Sequence, residues 1–227
     1  MNQKFTILFD LDGTLVDTAP DLMLAHNHVM KKFGYPTKSS EDIRNLVGKG
    51  AGALIGRSIW GQAKQEFSKV SDEKIKAEMI KEFINFYGKN ILNESTLING
   101  VKKFLIWCKK ENISMAVCTN KTEHLAVDLL KKIGIYDYFE YVAGHNTFEY
   151  CKPDPRHLTT IIEILDGDIK KTIMIGDSET DANAAKAAEI PVILLENGYT
   201  EKNTTEIYHN HLIKDFIGIE KIISKYL

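Results

Sequence analysis

The chain is poor in cysteine. Its three cysteines, Cys108, Cys118 and Cys151, form no CxxC pair and show no Cys/His ligand spacing in 227 residues. That argues against a disulfide framework and a thiolate metal site, and it predicts free thiols in a reducing cytoplasm. Long apolar runs are also lacking, and none approaches the roughly 20 residues needed to cross a bilayer. The N-terminus leads directly into a strand pattern and carries Asp10 early, so no secretory signal is expected. Neither sign of charge dominates. With 29 basic and 31 acidic side chains the net charge is -2, which gives no electrostatic reason to expect nucleic acid or a membrane as partner. There is no internal repeat and no low-complexity tract. An apolar content of 44% is ordinary for a soluble globular protein. The length suits one large domain, or one domain with an insert.

The most informative stretch comes first. Phe5-Thr6-Ile7-Leu8-Phe9 reads as a short buried strand, and Asp10-Leu11-Asp12-Gly13-Thr14 leaves it in a turn. Side chains alternate along a strand, so Asp10 and Asp12 can leave on the same side. Gly13 lets the backbone bend where a side chain would obstruct it. Two carboxylates so close repel, and one should bind protons more tightly unless a cation lies between them. The pair therefore invites a divalent metal and a division of labour, one carboxylate as nucleophile and the other as acid and base.

Helical spacing follows. Leu22, Leu24, Val29, Met30 and Phe33 form one apolar set, with Asp17 or Thr18 as cap and Pro20 in the first turn. Further helices are predicted over 41–46, 54–60 and 71–87, the last with Ile75, Met79, Phe83 and Phe86 on one stripe. Val47-Gly48-Lys49-Gly50-Ala51-Gly52-Ala53 is a glycine-rich loop between them. After a linker at 96–100, helices and strands alternate. Strands are expected at 115–118, 139–144, 172–175, 191–195 and 211–213. Helices are expected at 101–110, 123–133, 155–165 and 181–188, with Asp215 capping a terminal one. This alternation predicts an α/β fold, a parallel sheet with helices on both faces.

In such a sheet ligands bind beyond the carboxyl ends of the strands. Polar residues cluster at those ends. Asp10 and Asp12 follow the first strand, Thr119 and Asn120 follow the second, and Asp177 and Asp181 follow a later one. Thr119 can present a hydroxyl and the next backbone N–H groups to a phosphate oxygen, although a strand-end threonine also serves as a helix cap. Lys152 lies in Cys151-Lys152-Pro153-Asp154-Pro155, where two prolines stiffen its base and aim a fixed ammonium. His26, His28, His124, His145 and His157 carry no assigned role.

These residues resemble four motifs of the haloacid dehalogenase superfamily, in order. They are D-x-D-G-T-L-x-D at 10–17, a strand-end Thr at 119, K-P-x-P at 152–155 and G-D-x-x-x-D at 176–181. The resemblance implies a Rossmann-like core, residues 1–16 and 92–227, with an inserted all-helical cap of the first class, residues 17–91. It implies Asp10 as nucleophile, Asp12 as general acid and base, and Lys152 as the neutralising ammonium. Thr119, Asn120 and Lys152 would bind phosphate. Mg2+ would be held by the carboxylates of Asp10 and Asp177 and the main-chain carbonyl of Asp12. Asp181 would stand behind the metal, pair with Lys152, or simply favour a helix N-terminus.

Asp12 separates this chain from dehalogenases and phosphonoacetaldehyde hydrolases, which lack it. The loop 46–51 is similar to the V-G-x-G-A stretch of phosphoglycolate phosphatases, so Lys49 or Arg57 could meet a substrate carboxylate. The expected activity is Mg2+-dependent hydrolysis of a small phosphorylated metabolite, 2-phosphoglycolate, by a cytoplasmic monomer or homodimer with no nucleic-acid or membrane partner. The alternatives on the same core are a sugar phosphomutase of the β-phosphoglucomutase type and a pyrophosphatase. A non-catalytic binding protein on this fold should have lost a motif residue, and none is missing.

Overall fold

The computed structural model describes residues 3–60 and 70–227. The chain enters through β1 (Thr6–Phe9) and a two-residue strand β2 (Val16–Asp17). Four helices follow: α1 (Ala19–Phe33), α2 (Ser40–Arg44), α3 (Ala51–Trp60) and α4 (Val70–Lys89). The chain returns through β3 (Thr96–Leu97), which pairs antiparallel with β2. The alternating part then runs α5 (Val101–Lys110), β4 (Ser114–Cys118), α6 (Glu123–Lys132), β5 (Tyr141–Ala143), α7 (Arg156–Ile164) and β6 (Thr172–Gly176). It ends with α8 (Glu179–Ala187), β7 (Val192–Leu195), β8 (His211–Ile213) and α9 (Glu220–Ile223).

Among the described residues, six strands form one sheet in the order β5-β4-β1-β6-β7-β8. Every neighbouring pair is parallel, as the alternation predicts. Connections leave β1 to one side, reach β4 and β5, and come back to β6 on the other side. The carboxyl end of β1 thus sits where the winding reverses, the place where such sheets bind ligands. In register, Phe9 stands beside Val117 and Ile175, so the residues that follow these three strands emerge together.

Alternation along β1 divides the core. Ile7 and Phe9 face a cluster that includes Phe104 and Leu105 of α5 and Leu129 of α6. Leu8 faces Ala116, Met174, Leu158 of α7 and Ala182 of α8 on the other side. Phe9 anchors the first layer, its ring 5.8 Å from that of Phe139 and 6.2 Å from that of Phe104. Burying one such side chain contributes about 1.5–3 kcal/mol. The helical segment extends this layer, with Leu22, Val29, Leu54, Met79, Phe83 and Tyr87 buried in one continuous cluster with Phe9.

Several local expectations are corrected. Leu24 is 41% exposed and Ile75 37% exposed, so neither belongs to its predicted apolar stripe. Helical periodicity assigns a face, but the width of the buried face is set by what packs on it. The linker at 96–100 contains β3. α3 starts at Ala51, inside the glycine-rich stretch. Asp215 does not cap the last helix. It accepts from Ile217 N–H in a local turn before Gly218, and Ile219 occupies the cap position of α9. No helix among the described residues is long and apolar enough to cross a membrane.

Candidate active site

Three adjacent strands deliver the first groups. Asp10 follows β1, Thr119 follows β4, and Asp177 follows β6. Lys152, from the loop before α7, reaches between them. Its ammonium donates to Asp10 Oδ1 at 2.8 Å and to Asp181 Oδ1 at 2.6 Å, with all three side chains buried. Burial alone would lower the lysine, but Asp10 and Asp181 outweigh it and hold it above the usual range. Burial raises the Asp10 carboxyl to about 6, against the pull of Lys152 and with a further push from Asp181. Burial, then Asp10 and Asp181, push Asp177 well above the carboxylate range.

Asp181 resolves into two functions, one for each oxygen. Oδ1 takes the lysine. Oδ2 accepts from Ser178 Oγ at 2.7 Å, Ser178 N–H at 3.1 Å and Asp177 N–H at 3.2 Å, closing the start of α8. Asp177 accepts from Tyr199 N–H at 2.6 Å and from Thr14 Oγ1 at 3.2 Å. Gly13 makes room for it. At φ +82° it adopts a conformation that suits glycine, and a Cβ there would lie 2.2 Å from Asp177 Oδ2.

Carboxylate oxygens of Asp10, Asp177 and Asp181 come within 4.8 Å of one another. Asp181 already accepts from four donors, three of them on Oδ2. Asp10 Oδ2 accepts no hydrogen bond among the described residues, and Asp177 stands beside it with a raised affinity for protons. Two buried carboxylates crowded in this way, offering hard oxygen donors, fit a small divalent cation such as Mg2+.

Asp12 is held differently. Thr18 Oγ1 donates to its Oδ1 at 2.6 Å, and Lys121 Nζ donates to Oδ1 at 2.7 Å and Oδ2 at 2.8 Å. Thr18 occupies the cap position of α1 yet makes no side-chain cap bond, because its hydroxyl is turned to Asp12. Thr119 Oγ1 accepts from Lys121 N–H at 3.1 Å, which leaves its own proton to donate. Asn120 contributes no side-chain donor to a phosphate here. Its amide N–H groups go to the carbonyls of Lys152 at 2.9 Å and Gly48 at 3.3 Å. Two carbonyl acceptors fix the orientation of that amide. What Asn120 can offer an anion is its main chain.

A cavity opens over Asp10, Asp12 and Thr119. Lys121, Tyr87, Phe83, Leu22, Leu54 and Leu125 line it further, with Gly48 and Gly50 at its rim. Lys49 and Arg57 do not line this cavity. They line a separate cleft with Ser178, Thr180 and Tyr199. The Arg57 guanidinium is engaged by Glu201 and by the carbonyls of Asn45 and Leu46. Gly48 and Gly50 carry positive φ on either side of Lys49; Gly50 lines the cavity, Gly48 lines both, and the lysine lines only the other cleft.

Lys121 is the main residue that sequence reasoning passed over. Its signal was its position, next after Thr119 and Asn120 at a strand end. His157 is the second such residue. It is buried, its Nδ1 accepts the Lys152 N–H at 3.2 Å, and burial with the nearby ammonium lowers it to about 3. It is a neutral support for the base of Lys152. Tyr199 belongs to no motif. Its hydroxyl donates to Asp17 Oδ1 at 2.5 Å and accepts from Ala19 N–H at 2.8 Å.

Residues 7–195 match the family described as haloacid dehalogenase-like hydrolase. The chain is 37% identical over 210 residues to a phosphoglycolate phosphatase of Mesorhizobium japonicum, covering 92% of this chain and 90% of that one. It is 38% identical over 226 residues to a phosphoglycolate phosphatase of Agrobacterium fabrum, covering 96% and 94%. The crystal structure of a predicted phosphoglycolate phosphatase from Haemophilus somnus superposes with a TM-score of 0.88 at 31% identity, covering 98% of this chain and 99% of that one.

Proposed function

The chain belongs to the haloacid dehalogenase-like hydrolases and is a phosphoric monoester hydrolase, and from this premise we propose that it hydrolyses 2-phosphoglycolate with Mg2+ through an aspartyl-phosphate. The observation that carries the chemistry is the Asp10–Lys152 pair at 2.8 Å, with Asp12 on the same cavity. The named substrate draws its support from the relatives.

An Asp10 oxygen attacks phosphorus, the bond from phosphorus to the leaving oxygen breaks, and Asp12 gives that oxygen its proton. Water then attacks the aspartyl-phosphate and passes a proton to Asp12. The Asp10–phosphorus bond breaks and phosphate leaves. Little covalent assistance is needed in phosphoryl transfer, so placement and charge dominate. Lys152, the Thr119 hydroxyl and the main chain of Asn120 serve the phosphoryl oxygens. Asp10, Asp177 and the Asp12 carbonyl would hold Mg2+, which when bound supplies further positive charge there.

Residues 17–91 serve as the cap over a core of residues 1–16 and 92–227. The β2–β3 ribbon, where the chain leaves and re-enters, supports that division. So does the cavity, whose wall combines Leu22, Leu54 and Phe83 with core groups. A cap closing there excludes water from the reacting centre. The partner is a small phosphorylated metabolite, and the three free thiols suit a cytoplasmic location.

The test is phosphate release with Mg2+ from 2-phosphoglycolate, pyrophosphate, hexose phosphates and nucleotides, with Asp10→Asn as control. A preference for 2-phosphoglycolate that vanishes in the control is expected. Broad, slow release keeps the phosphatase and removes the named substrate. Conversion of a sugar phosphate without phosphate release identifies a mutase instead.

A further inference from the structure

We infer that Lys121 determines specificity for the leaving group, its ammonium binding the carboxylate of the substrate while holding Asp12 beside the ester oxygen. This rests on the phosphoglycolate reading above. Four observations support it. The first is placement. Lys121 lines the cavity that contains Asp10, its side chain only 6% exposed, whereas Lys49 and Arg57 line another cleft. The second is the surrounding wall. Leu22, Leu54, Phe83 and Leu125 offer no charge or donor to an incoming carboxylate, which could not be desolvated there without a cation.

The third is donor arithmetic. An ammonium has three N–H donors. Two are directed at the oxygens of Asp12. The Tyr87 ring lies 4.6 Å away on another side, a weak attraction that a carboxylate would outcompete. A general acid works within about 3 Å of the oxygen it protonates. The ammonium, 2.7 Å from Asp12, then lies within about 6 Å of that oxygen. In an O–CH2–COO fragment with bonds of about 1.5 Å, a carboxylate oxygen spans about half that gap, leaving one hydrogen-bond length to the ammonium. A one-carbon spacer between ester oxygen and carboxylate is thus the length the site matches.

The fourth observation is independent of the lysine. Tyr87 is buried in the wall of the same cavity, and its hydroxyl has no hydrogen-bond partner among the described residues. Burial, then Asp12 and Asp21, keep that hydroxyl protonated. It is a donor without an acceptor, carried on a ring that the Lys121 ammonium faces at 4.6 Å, and a carboxylate bound between them would satisfy both.

The experiment compares kcat and KM for 2-phosphoglycolate and 2-hydroxyethyl phosphate, which replaces the carboxylate by a neutral alcohol. In Lys121→Met the preference for phosphoglycolate, as a ratio of kcat/KM values, should fall about ten- to hundredfold. Both substrates should lose kcat, because Asp12 is no longer aimed, but KM should rise mainly for phosphoglycolate. Lys121→Arg should restore most of the preference, and Tyr87→Phe should raise KM for phosphoglycolate alone. If Lys121→Met does not fold, Lys121→Gln carries the same comparison. A wild-type preference that survives in the variants overturns the inference and leaves the substrate reading standing. A wild type with no preference overturns the substrate reading, and the inference with it.

Discussion

Replacing Lys152 by Met should cost the metal-free protein about 3–5 kcal/mol, the usual effect of removing one member of a buried ion group. The Lys152 ammonium lies 2.8 Å from Asp10 and 2.6 Å from Asp181, with all three side chains buried. Methionine keeps most of the volume, so the loss is electrostatic rather than a cavity effect. In a chain of this size each kcal/mol shifts the melting temperature by about 2–4 °C, so a fall of about 6–20 °C is expected. The pH dependence is the sharper signature. Asp10 already stands at about 6 in the folded protein, raised above its ordinary value by burial. Lys152 is the largest opposing influence, so without it Asp10 moves higher still. A carboxyl raised on folding takes up a proton in the folded state, and stability then falls as pH rises through the window between its unfolded and folded values. The deficit of Lys152→Met should therefore be smallest near pH 4, where the loss of the pairing with Asp181 remains, and grow as pH rises through 6 and beyond. Urea denaturation in EDTA at pH 4.5, 6 and 7.5, wild type beside variant, measures this. A deficit under about 1 kcal/mol at every pH, or one that does not grow with pH, would refute the assignment of Lys152 as the counter-charge of a buried anionic site.

Three further outcomes follow from the same geometry. Gly13→Ala places a methyl 2.2 Å from Asp177 Oδ2 at a φ of +82°; it should cost about 1–3 kcal/mol and weaken Mg2+ binding, and unchanged denaturation and calorimetric titration would contradict it. Mg2+ affinity of the wild type should fall by at least about tenfold for each pH unit below about 6, because Asp10 must lose its proton to ligate and Asp177, also raised by burial, must lose its own, and a flat profile in isothermal titration would count against that. Tyr199→Phe removes the hydroxyl that joins Asp17 to Ala19 and should cost about 1–2 kcal/mol at pH 7. Against burial, Tyr199 and Arg44 hold Asp17 below its ordinary value, so this stability is present above about pH 4 and is lost on acidification; an equal deficit at pH 7 and pH 3 in urea denaturation would show another origin.

Much of this was readable because strand ends are where hydrophobic alternation stops. Apolar runs identified β1, β4 and β6, and the polar residues directly after them are Asp10, Thr119 and Asp177. The parallel order and the helices followed from the spacing of elements. What escaped is what depends on side-chain direction. The stretch around Gly48 and Gly50 was visible, but which way Lys49 would turn depends on two positive φ angles, and whether Arg57 is free depends on a distant Glu201. Asn120 was visible too, yet its amide bridges two carbonyls that lie 32 and 72 residues away. β2 and β3, two residues each, are too short to leave a periodic pattern. Leu24 and Ile75 had the right spacing but face solvent.

The polar residues at helix starts show why local and functional readings of a sequence need not compete. Asp181 suits the first turn of a helix, and it also suits a partnership with Lys152. A carboxylate has two oxygens, and here each reading takes one. Because Oδ2 is fixed by three donors at the start of α8, Oδ1 is fixed as well, and so is the ammonium that it shares with Asp10. The local motif thus sets the geometry of the chemical one. Thr18 runs the other way. Its position predicts a cap for α1, but its hydroxyl is given to Asp12, and the Ala19 N–H at the helix start is satisfied by Tyr199 from 180 residues along the chain. A helix that gives up its own cap and takes a distant one has its N-terminus tied to the segment after β7. That tie places Thr18, and through it Asp12, in a fixed relation to Asp10.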